Sequence, residues 1–259
     1  MYYGIQLAAS GALTSLYRTD VLANNLANLN TTGFKPDFAF TRERDPVRAE
    51  DGLWAVPSNE LLEKLGAGAH MAPNRVDHAQ GNLTKTGNPL DLAIRGDGYF
   101  VLRTAADGDA AGVKLTRDGR MTRNSEGRLV SATTGLPVLS IRNRPITLDP
   151  NYPVTVDRDG SIRQAGVIVD RVQVIDLKDR TQLTKESGST FAVNSKAFNQ
   201  AIPATGEVEQ NTLEEAAVDP IAAMMGVQAA AKAVGTNFTM ISYQDKMMER
   251  AINTFARIG

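Results

Sequence analysis

Two short motifs in this 259-residue chain could support chemistry, and both are predicted to be turns. The motif DRDG, at residues 157–160, places two carboxylates close together, as a calcium loop does. It lacks the further acidic ligands and the terminal glutamate of an EF-hand, so its composition favours a hairpin turn. The motif RGDGYF, at residues 95–100, has two glycines after a strand-like run but no third glycine and no helix pattern after it. It is therefore predicted to be a tight turn or bulge and not a dinucleotide-binding loop.

The titratable side chains form no recognisable catalytic or metal-binding constellation. His70 and His78 have no carboxylate or serine partner at motif spacing, so both are predicted to be surface residues. Cysteine is absent, which excludes disulfides, thiol catalysis and the common structural zinc sites. We therefore predict no catalytic, metal-binding or cofactor-binding residues, and no cofactor. A hydrolase that uses acids of the central segment is an alternative, and it requires a concave pocket with perturbed carboxylates.

Charge and hydropathy exclude two classes of partner. The formal net charge is −1 and Lys and Arg are dispersed, so neither nucleic acid nor an anionic membrane surface is predicted as a partner. No window reaches the roughly 18 consecutive apolar residues that a membrane-spanning helix requires. The first basic residue, Arg18, follows the apolar N-terminal stretch, and this order does not predict a cleaved signal peptide.

Both ends of the chain are predicted to be helices that pair like a coiled coil. Apolar or small residues alternate in steps of four and three, which is the spacing of a packing seam. In the N-terminal segment these positions are Ile5, Ala9, Ala12, Leu16, Thr19, Ala23 and Leu26. In the C-terminal segment they are Met224, Val227, Ala231, Val234, Phe238, Ile241, Asp245, Met248, Ile252 and Phe255. Asp245 is charged, so it is either paired inside the seam or exposed because the apolar face rotates around the helix.

Capping residues indicate where these helices begin and end. The C-terminal helix is predicted to start at Asp219-Pro220, because an aspartate can accept bonds from free amides and a proline fits the first turn. The N-terminal helix is predicted to end near Asn30, with Gly33 in a left-handed conformation and Phe34 as the accompanying hydrophobic contact.

Each predicted helix also carries a stripe of small residues on a face other than its seam. The stripes are Gly4, Ala8, Gly11 and Ser15 near the N-terminus and Ala222, Gly226, Ala230 and Ala233 near the C-terminus. Glycine inside a helix costs about 1 kcal/mol relative to alanine, so the stripes predict close contact with a second neighbour. The alternatives are that the central segment covers the stripes or that they face solvent.

The segment between the helices is predicted to be an antiparallel β domain. Short β-branched runs are separated by glycine turns, as in LDLAIRGDGYFVLR and GVIVDRVQVIDL, and Asp118-Gly119 and Asp159-Gly160 are predicted hairpin turns. The fold class is α+β, with paired coiled-coil-like N- and C-terminal helices flanking a central antiparallel all-β domain. The predicted divisions are an N-terminal helix in 1–35, a loop-rich linking arm with one short helix in 36–80, the β domain in 81–205, and the C-terminal helix in 206–259.

The segment LANNLANLNTTGFK, residues 22–35, places four asparagines in the last turns of the N-terminal helix. Asparagine is a weak helix former, so neighbouring groups must stabilise these turns. One hypothesis is that Asn24, Asn25 and Asn28 bond adjacent helices and fix their axial register. The competing hypothesis is that they cap the end of their own helix.

Three segments together resemble one protein family. LANNLANLNTTGFK resembles the N-terminal signature of the bacterial flagellar axial proteins, specifically the basal-body rod proteins of the FlgF/FlgG type. QGNLTKTGNPLDLAIRGDGYFVL, residues 80–102, is similar to the central strand motif of that family, and LTRDGRMTRNSEGRLV to the stretch that follows it. At the Gln-Arg-x-Tyr/Phe step of the family, this chain has residues 231–234, of which only Lys232 keeps the positive charge.

The resemblance implies a non-enzymatic structural subunit of the flagellar basal-body rod, the periplasmic drive-shaft that transmits torque from motor to hook. It implies self-association in a helical array, other rod and hook subunits as partners, and export by the flagellar type III apparatus without a cleaved signal. The residues expected at the polymer interface are Gly4, Ile5, Ala8, Gly11, Leu16, Asn24, Asn25, Leu26, Asn28, Gly33, Phe34, Ala222, Gly226, Val227, Ala230, Lys232, Val234, Asn237, Phe238, Ile241, Asp245 and Met248. The alternative is a secreted β-domain binding module or adhesin with a helical stalk, which would form a closed small oligomer.

Overall fold

The computed structural model describes residues 3–46, 49, 52, 66–104, 112–186 and 189–255. Within them, the α-helices are α1 (Tyr3–Ala27), α2 (Ser195–Asn199) and α3 (Pro220–Phe255). The first strands are β1 (Asp37–Glu43), β2 (Ala69–Val76), β3 (Leu83–Lys85), β4 (Leu92–Arg95), β5 (Tyr99–Arg103), β6 (Val113–Thr116), β7 (Met121–Arg123) and β8 (Leu129–Ser131). They are followed by β9 (Val154–Val156), β10 (Ser161–Gln164), β11 (Val167–Arg171), β12 (Val174–Asp176), β13 (Leu183–Lys185), β14 (Thr190–Val193), β15 (Ile202–Pro203), β16 (Glu207–Gln210) and β17 (Thr212–Glu214). Terminal helices that flank antiparallel strands confirm the predicted α+β class.

The chain forms two compact units. The helical unit consists of residues 1–27, 37–75 and 219–259, and the β unit consists of residues 28–36 and 76–218. Strands β16 and β17 belong to the β unit, although they lie in the stretch 206–259 that the sequence groups with the C-terminal helix. The sequence-based domain boundaries stay a prediction.

Within the helical unit, α1 and α3 run antiparallel and approach closely at glycines. Three contacts define this approach: Gly4 against Gln244, Gly11 against Asn237, and Gly226 against Leu22. The first two contacts are seven residues apart on both helices, which is the heptad spacing of a coiled coil. The small residues therefore form the intramolecular contact. The prediction that they lie on a face away from the other helix is wrong for these three glycines.

Of the ten predicted seam members of α3, the Phe255 side chain lies outside the described part of the chain, and the other nine divide into two sets. Four of them are partly buried, as a contact with α1 requires: Val227, Val234, Ile241 and Met248. The alternate members are exposed: Met224, Ala231, Phe238, Asp245 and Ile252. In each of these five places, the residue one position before the exposed member is partly or fully buried: Ala223, Ala230, Asn237, Gln244 and Ala251. The close approach at the glycines admits small or amide side chains and leaves the larger ones outside, so Asp245 takes the exposed alternative.

Two strands form in residues 36–80, where sequence periodicity predicted only loops and a short helix. Strands β1 and β2 pair with each other, and Tyr17 Oη of α1 donates to Asn74 Oδ1 of β2 at 2.7 Å. Ala39 is partly buried, whereas Phe38 and Phe40 are exposed. This reverses the usual placement of large apolar residues, which explains why the pattern was not recognised. The predicted short helix lies outside the described residues.

The core of the β unit lies on both sides of strand β5. This strand is central in a six-stranded sheet with the order β13-β14-β6-β5-β12-β15. Its residues Phe100 and Leu102 belong to one buried apolar cluster, and Tyr99 and Val101 belong to another. Burial on both faces explains why the run YFVL is continuously apolar instead of alternating.

The predicted helix bounds are largely confirmed. The carboxylate of Asp219 accepts from the amide of Ile221 at 2.9 Å, directly before the start of α3 at Pro220. Gly33 has the expected left-handed conformation, with φ of 67°. Helix α1 ends at Ala27, three residues before the predicted end, and is followed by turns.

One of the two predicted hairpin turns is confirmed. Asp159-Gly160 connects β9 to β10, which pair antiparallel, and Gly160 has a φ of 82°. Asp118-Gly119 instead connects β6 to β7, which lie in different sheets, so the hairpin prediction is wrong there. Gly119 is needed for a close approach, because a Cβ atom on it would lie 1.5 Å from the carbonyl oxygen of Leu92. The RGDGYF motif is the predicted tight turn, between β4 and β5.

The variant Gly119→Ala is expected to destabilise the β unit, because its methyl group would collide with a backbone oxygen. We expect the free energy of unfolding to fall by about 3 kcal/mol, measured by urea denaturation. The matched control is Gly235→Ala inside α3, where no described atom lies within 4 Å of the added Cβ. This control is expected to gain about 1 kcal/mol in helix propensity. Wild-type stability of Gly119→Ala would contradict the assigned close approach.

Candidate functional site

Large apolar side chains are exposed on α1 and α3 outside the contact between the two helices. On α3 these are Ile221, Met224, Met225, Phe238, Met240, Tyr243, Met247 and Ile252, and on α1 they are Leu7, Leu13 and Leu16. Met225, Tyr243 and Met247 expose 65%, 61% and 62% of their surface. Exposed apolar residues at this density indicate an interaction surface. We call this set the exposed helix face.

The residues predicted for a polymer interface fall into three groups. Exposed are Leu16, Asn24, Ala222, Lys232, Phe238 and Asp245. Partly or fully buried on the helices and the turn after α1 are Gly4, Ile5, Ala8, Gly11, Leu26, Asn28, Gly226, Val227, Ala230, Val234, Asn237, Ile241 and Met248. The third group is buried at the C-terminal end of α1 and in the turns that follow it, and consists of Asn25, Gly33 and Phe34. The role of all these residues at an interface stays a prediction. Only the residues of the first group are exposed in the single chain and so accessible to a neighbouring subunit.

The asparagines at the end of α1 differ in what they bond. The side-chain amide of Asn25 donates to the carbonyl oxygen of Asp37 at 2.8 Å and accepts from the amide of Asp37 at 3.0 Å. Asn25 therefore fixes the start of β1 in its own chain and does not cap α1, and its bond to an adjacent helix stays a prediction. The side-chain oxygen of Asn28 accepts from the hydroxyl of Thr31 at 3.2 Å, a local contact that favours the capping hypothesis for this residue.

A cluster of three buried charges lies in the β unit, and we call it the Glu214 cluster: Lys35, Arg117 and Glu214. The Lys35 and Glu214 side chains have no solvent exposure, and 3% of that of Arg117 is exposed. The Lys35 ammonium donates to Glu214 Oε1 at 2.5 Å, and Arg117 Nη1 donates to Glu214 Oε2 at 3.1 Å. The amide of Gly81 donates to Glu214 Oε1 at 3.0 Å. The carboxylate thus has a partner on each of its oxygens.

The two cations of the Glu214 cluster also donate to backbone carbonyls, and of the Arg117 guanidinium only the buried Nε has no hydrogen-bond partner. The Lys35 ammonium donates to Ala79 O at 2.6 Å, and Arg117 donates to Ile94 O at 3.3 Å and to Gly96 O at 2.7 Å. Burial lowers the pKa of the Lys35 ammonium, and the negative charge of Glu214 partly opposes this shift. A buried charge is tolerated only when it is paired and hydrogen-bonded, and both conditions hold here.

His78 is partly buried and lies at the edge of a surface depression, so the prediction of a simple surface residue is only partly correct. Its Nδ1 and the hydroxyl of Tyr99 share a hydrogen bond of 2.7 Å, and its ring packs on Phe191 at 5.7 Å between centroids. Burial, helped by the positive charge of Arg180, lowers the pKa of His78 to about 4. Burial also raises the pKa of Tyr99 to about 12. Both side chains are therefore neutral at physiological pH and form a structural pair.

His78 borders a polar depression that also includes Gln80, Asp97 and Arg180. A hydrolase would need a carboxylate of raised pKa in such a place. Arg180 donates to Asp97 Oδ1 at 2.6 Å, and this bond lowers the pKa of the Asp97 carboxyl instead. The depression therefore gives the hydrolase alternative no support.

Among the residues that the structure describes, no group of three His, Asp or Glu side chains could hold a metal ion. None of the described helices combines the length and apolar character that crossing a membrane requires.

Sequence patterns do not reveal the Glu214 cluster. Lys35 and Arg117 both stand inside the quoted family motifs, but each lies in a polar context in which periodicity predicts exposure. Glu214 carries a weak signal, because the strand alternation that buries Thr212 also directs Glu214 inward. Only the folded chain brings these residues, up to 179 positions apart, into contact.

Comparisons with known proteins give consistent matches. A family model described as flagella basal body rod protein matches residues 5–35, and one described as flagellar hook protein FlgE/F/G D1 domain matches residues 93–164. The chain is similar to the flagellar basal-body rod protein FlgF of Caulobacter vibrioides, with 31% identity over 223 residues that cover 85% of this chain and 83% of that protein.

Two further relatives are named flagellar basal-body rod protein FlgG. The one from Agrobacterium fabrum is 29% identical over 271 residues, which cover 94% of this chain and 95% of that protein. The one from Buchnera aphidicola subsp. Baizongia pistaciae is 34% identical over 137 residues, which cover 51% of this chain and 50% of that protein. These matches confirm the resemblance that the three sequence motifs indicate.

The low pKa of His78 predicts that the protein loses stability in mild acid. The unfolded chain has a histidine pKa near 6.5 and binds a proton that the folded chain excludes until about pH 4. The His78 contribution is thus complete above pH 6.5 and is lost as the pH falls from 6.5 towards 4, with a slope of at most about 1.4 kcal/mol per pH unit. Urea denaturation between pH 7.5 and 5 measures this slope. It should become shallower in His78→Gln, and an unchanged slope would contradict the assignment.

Proposed function

Because the chain belongs to the family of flagellar basal-body rod proteins, we propose that it polymerises in the rod through its exposed helix face. The protein is a structural subunit of the bacterial flagellar basal-body rod. The observation that carries the proposed polymerisation is the apolar surface on α1 and α3, which the mutual contact of the two helices does not cover. The relatives do not support the adhesin alternative, because those reported above are rod proteins.

A rod that transmits torque from motor to hook needs many modest side-to-side contacts that repeat along a helical array. The exposed helix face suits this task because it extends along both helices. Leu13 and Leu16 lie on α1, and Phe238, Tyr243 and Met247 lie on α3. Several neighbouring helices can therefore share the burial of this surface, and each contact adds a part of the total stability.

We propose copies of the same chain and other rod and hook subunits as the neighbours. The family model for residues 93–164 bears a description shared by hook and rod proteins, which supports this choice. The flagellar export apparatus is proposed as a transient partner and the periplasmic part of the basal body as the location, both from the family resemblance. The proposed role is non-enzymatic, in keeping with relatives that are structural proteins.

The double variant Phe238→Ser/Met247→Ser tests the polymerisation surface. Both side chains are largely exposed, at 54% and 62%, so the helix content and melting temperature of the isolated chain should stay within about 2 °C of wild type. Incorporation into basal bodies should fall at least about tenfold, since each lost apolar contact weakens a repeated interface. The measurement is the amount of the protein in basal bodies purified from a strain whose own copy of the gene is deleted.

Two controls accompany this variant. Ile168→Ser removes an aliphatic side chain of similar exposure, 51%, from β11 in the β unit and should leave incorporation unchanged. Ile241→Ser removes a partly buried residue of α3 and should lower the stability of the isolated chain. Normal incorporation of the double variant would contradict the proposal.

A further inference from the structure

The polypeptide passes between its two units at four places, which are the peptide bonds after residues 27, 36, 75 and 218. Three segments of the β unit carry these connections. They are residues 28–36, the stretch that begins at residue 76 and the stretch that ends at residue 218. Any force that passes along the chain from one unit to the other must enter the β unit through these three segments.

The Glu214 cluster joins all three segments. Lys35 belongs to the first segment and bonds the Glu214 carboxylate of the third at 2.5 Å. The second segment is attached from both sides, because Ala79 O accepts from Lys35 at 2.6 Å and the Gly81 amide donates to Glu214 at 3.0 Å. The Glu214 carboxylate and the Lys35 ammonium thus form the point at which the connecting segments meet.

Backbone hydrogen bonds around the cluster follow the same arrangement. The Gly33 amide donates to Glu214 O at 2.7 Å, and the Ala217 amide donates to Phe34 O at 3.1 Å. The Asp77 amide donates to Pro36 O at 2.9 Å, which attaches the second segment to the first. These amides report on whether the three segments stay together.

Arg117 attaches the cluster to the rest of the β unit. It follows β6, and it bonds Glu214 at 3.1 Å and the carbonyl oxygens of Ile94 and Gly96 around the end of β4. Its guanidinium also lies 5.2 Å from the centroid of the Tyr99 ring, at the start of the central strand β5. The connecting segments are therefore attached to the buried sheet and not only to one another.

We propose that Glu214 is the positioning residue of a joint that holds the connecting segments together while mechanical load passes between the helical unit and the β unit of the assembled rod. The inference rests on the proposed rod function. Replacing a buried ion pair by uncharged side chains is often neutral for stability, so net stability alone does not explain these charges. The directional bonds of Glu214 specify where each segment lies.

The test compares Lys35→Met/Glu214→Gln with wild type in the full-length protein. The introduced glutamine keeps the shape and one acceptor oxygen of the carboxylate. Arg117, the third charge of the cluster, therefore keeps a side-chain acceptor besides the carbonyl oxygens of Ile94 and Gly96. Hydrogen exchange in residues 28–36, 76–82 and 212–218 should accelerate at least about tenfold, whereas exchange in β5 and β6 should stay within about twofold of wild type. Equal acceleration throughout the β unit would indicate a role in global stability and overturn the joint, as would unchanged exchange in the three segments.

The matched control is Arg95→Met/Glu209→Gln. This pair also joins a cation to a glutamate at 2.5 Å, here an arginine on a neighbouring strand, but the side chains are 61% and 28% exposed. Its removal should leave exchange in the three segments unchanged. Acceleration equal to that of the cluster variant would mean that any lost ion pair loosens the segments, and would overturn the assignment to Glu214.

An experiment in cells distinguishes failure of the proposed joint from failure of the proposed rod function. In a strain whose own copy of the gene is deleted, wild type should enter basal bodies and restore swimming, and the cluster variant should enter them but lose at least half of its swimming speed in viscous medium. If wild type does not enter basal bodies, the proposed rod function fails. If the variant enters them and swims like wild type at high viscosity, the joint is overturned and the rod function stands.

Discussion

The main constraint on the β unit is the buried charge of Glu214. Its carboxylate has no solvent exposure and hydrogen-bonds to the other two connecting segments. Two cations and one backbone amide satisfy it, and these come from parts of the chain far apart in sequence. If one partner were missing, a buried charge would be left unpaired, which is far more costly than the net gain from an ordinary hydrogen bond. The segments at Lys35, Gly81 and Glu214 must therefore fold together, and the left-handed Gly33 allows the turn beside Arg117 that this requires.

In the helical unit, the residues that form the contact between α1 and α3 differ in type from those that are exposed. Glycines and amide side chains form the contact between α1 and α3, as Gly4 with Gln244 and Gly11 with Asn237 illustrate. Large apolar residues such as Phe238 are left outside. A helix pair built the opposite way would bury its largest side chains internally and present a smooth surface to its neighbours. The observed choice limits the stability of the lone pair and leaves apolar area exposed, which is consistent with the proposed contacts to neighbouring subunits.

Sequence patterns predicted the class of the fold well and the orientation of its helices less well. The start of α3 followed from Asp219-Pro220, because capping is local chemistry that neighbouring residues determine. Seam assignment failed at Phe238, because apolar periodicity assumes that the largest residues face the partner helix, and close approach at glycines breaks that assumption. Strand β1 was missed for a related reason, since Phe38 and Phe40 lie on its exposed side. Of the exposed helix face, the residues predicted for the interface include only Leu16 and Phe238, because the seam spacing does not select most of the other exposed apolar positions.

The sequence by itself determined the helical ends, the β-rich middle, the conformation of Gly33 and the family to which the chain belongs. These features depend on spacing along the chain, on capping groups and on motifs of adjacent residues. Tertiary structure alone decided which face of α3 meets α1, that Asn25 bonds Asp37, and that Lys35, Arg117 and Glu214 are buried together. The physical reason is that burial of a charge or an amide depends on partners that are distant in sequence, and spacing along the chain carries no information about which of them will meet.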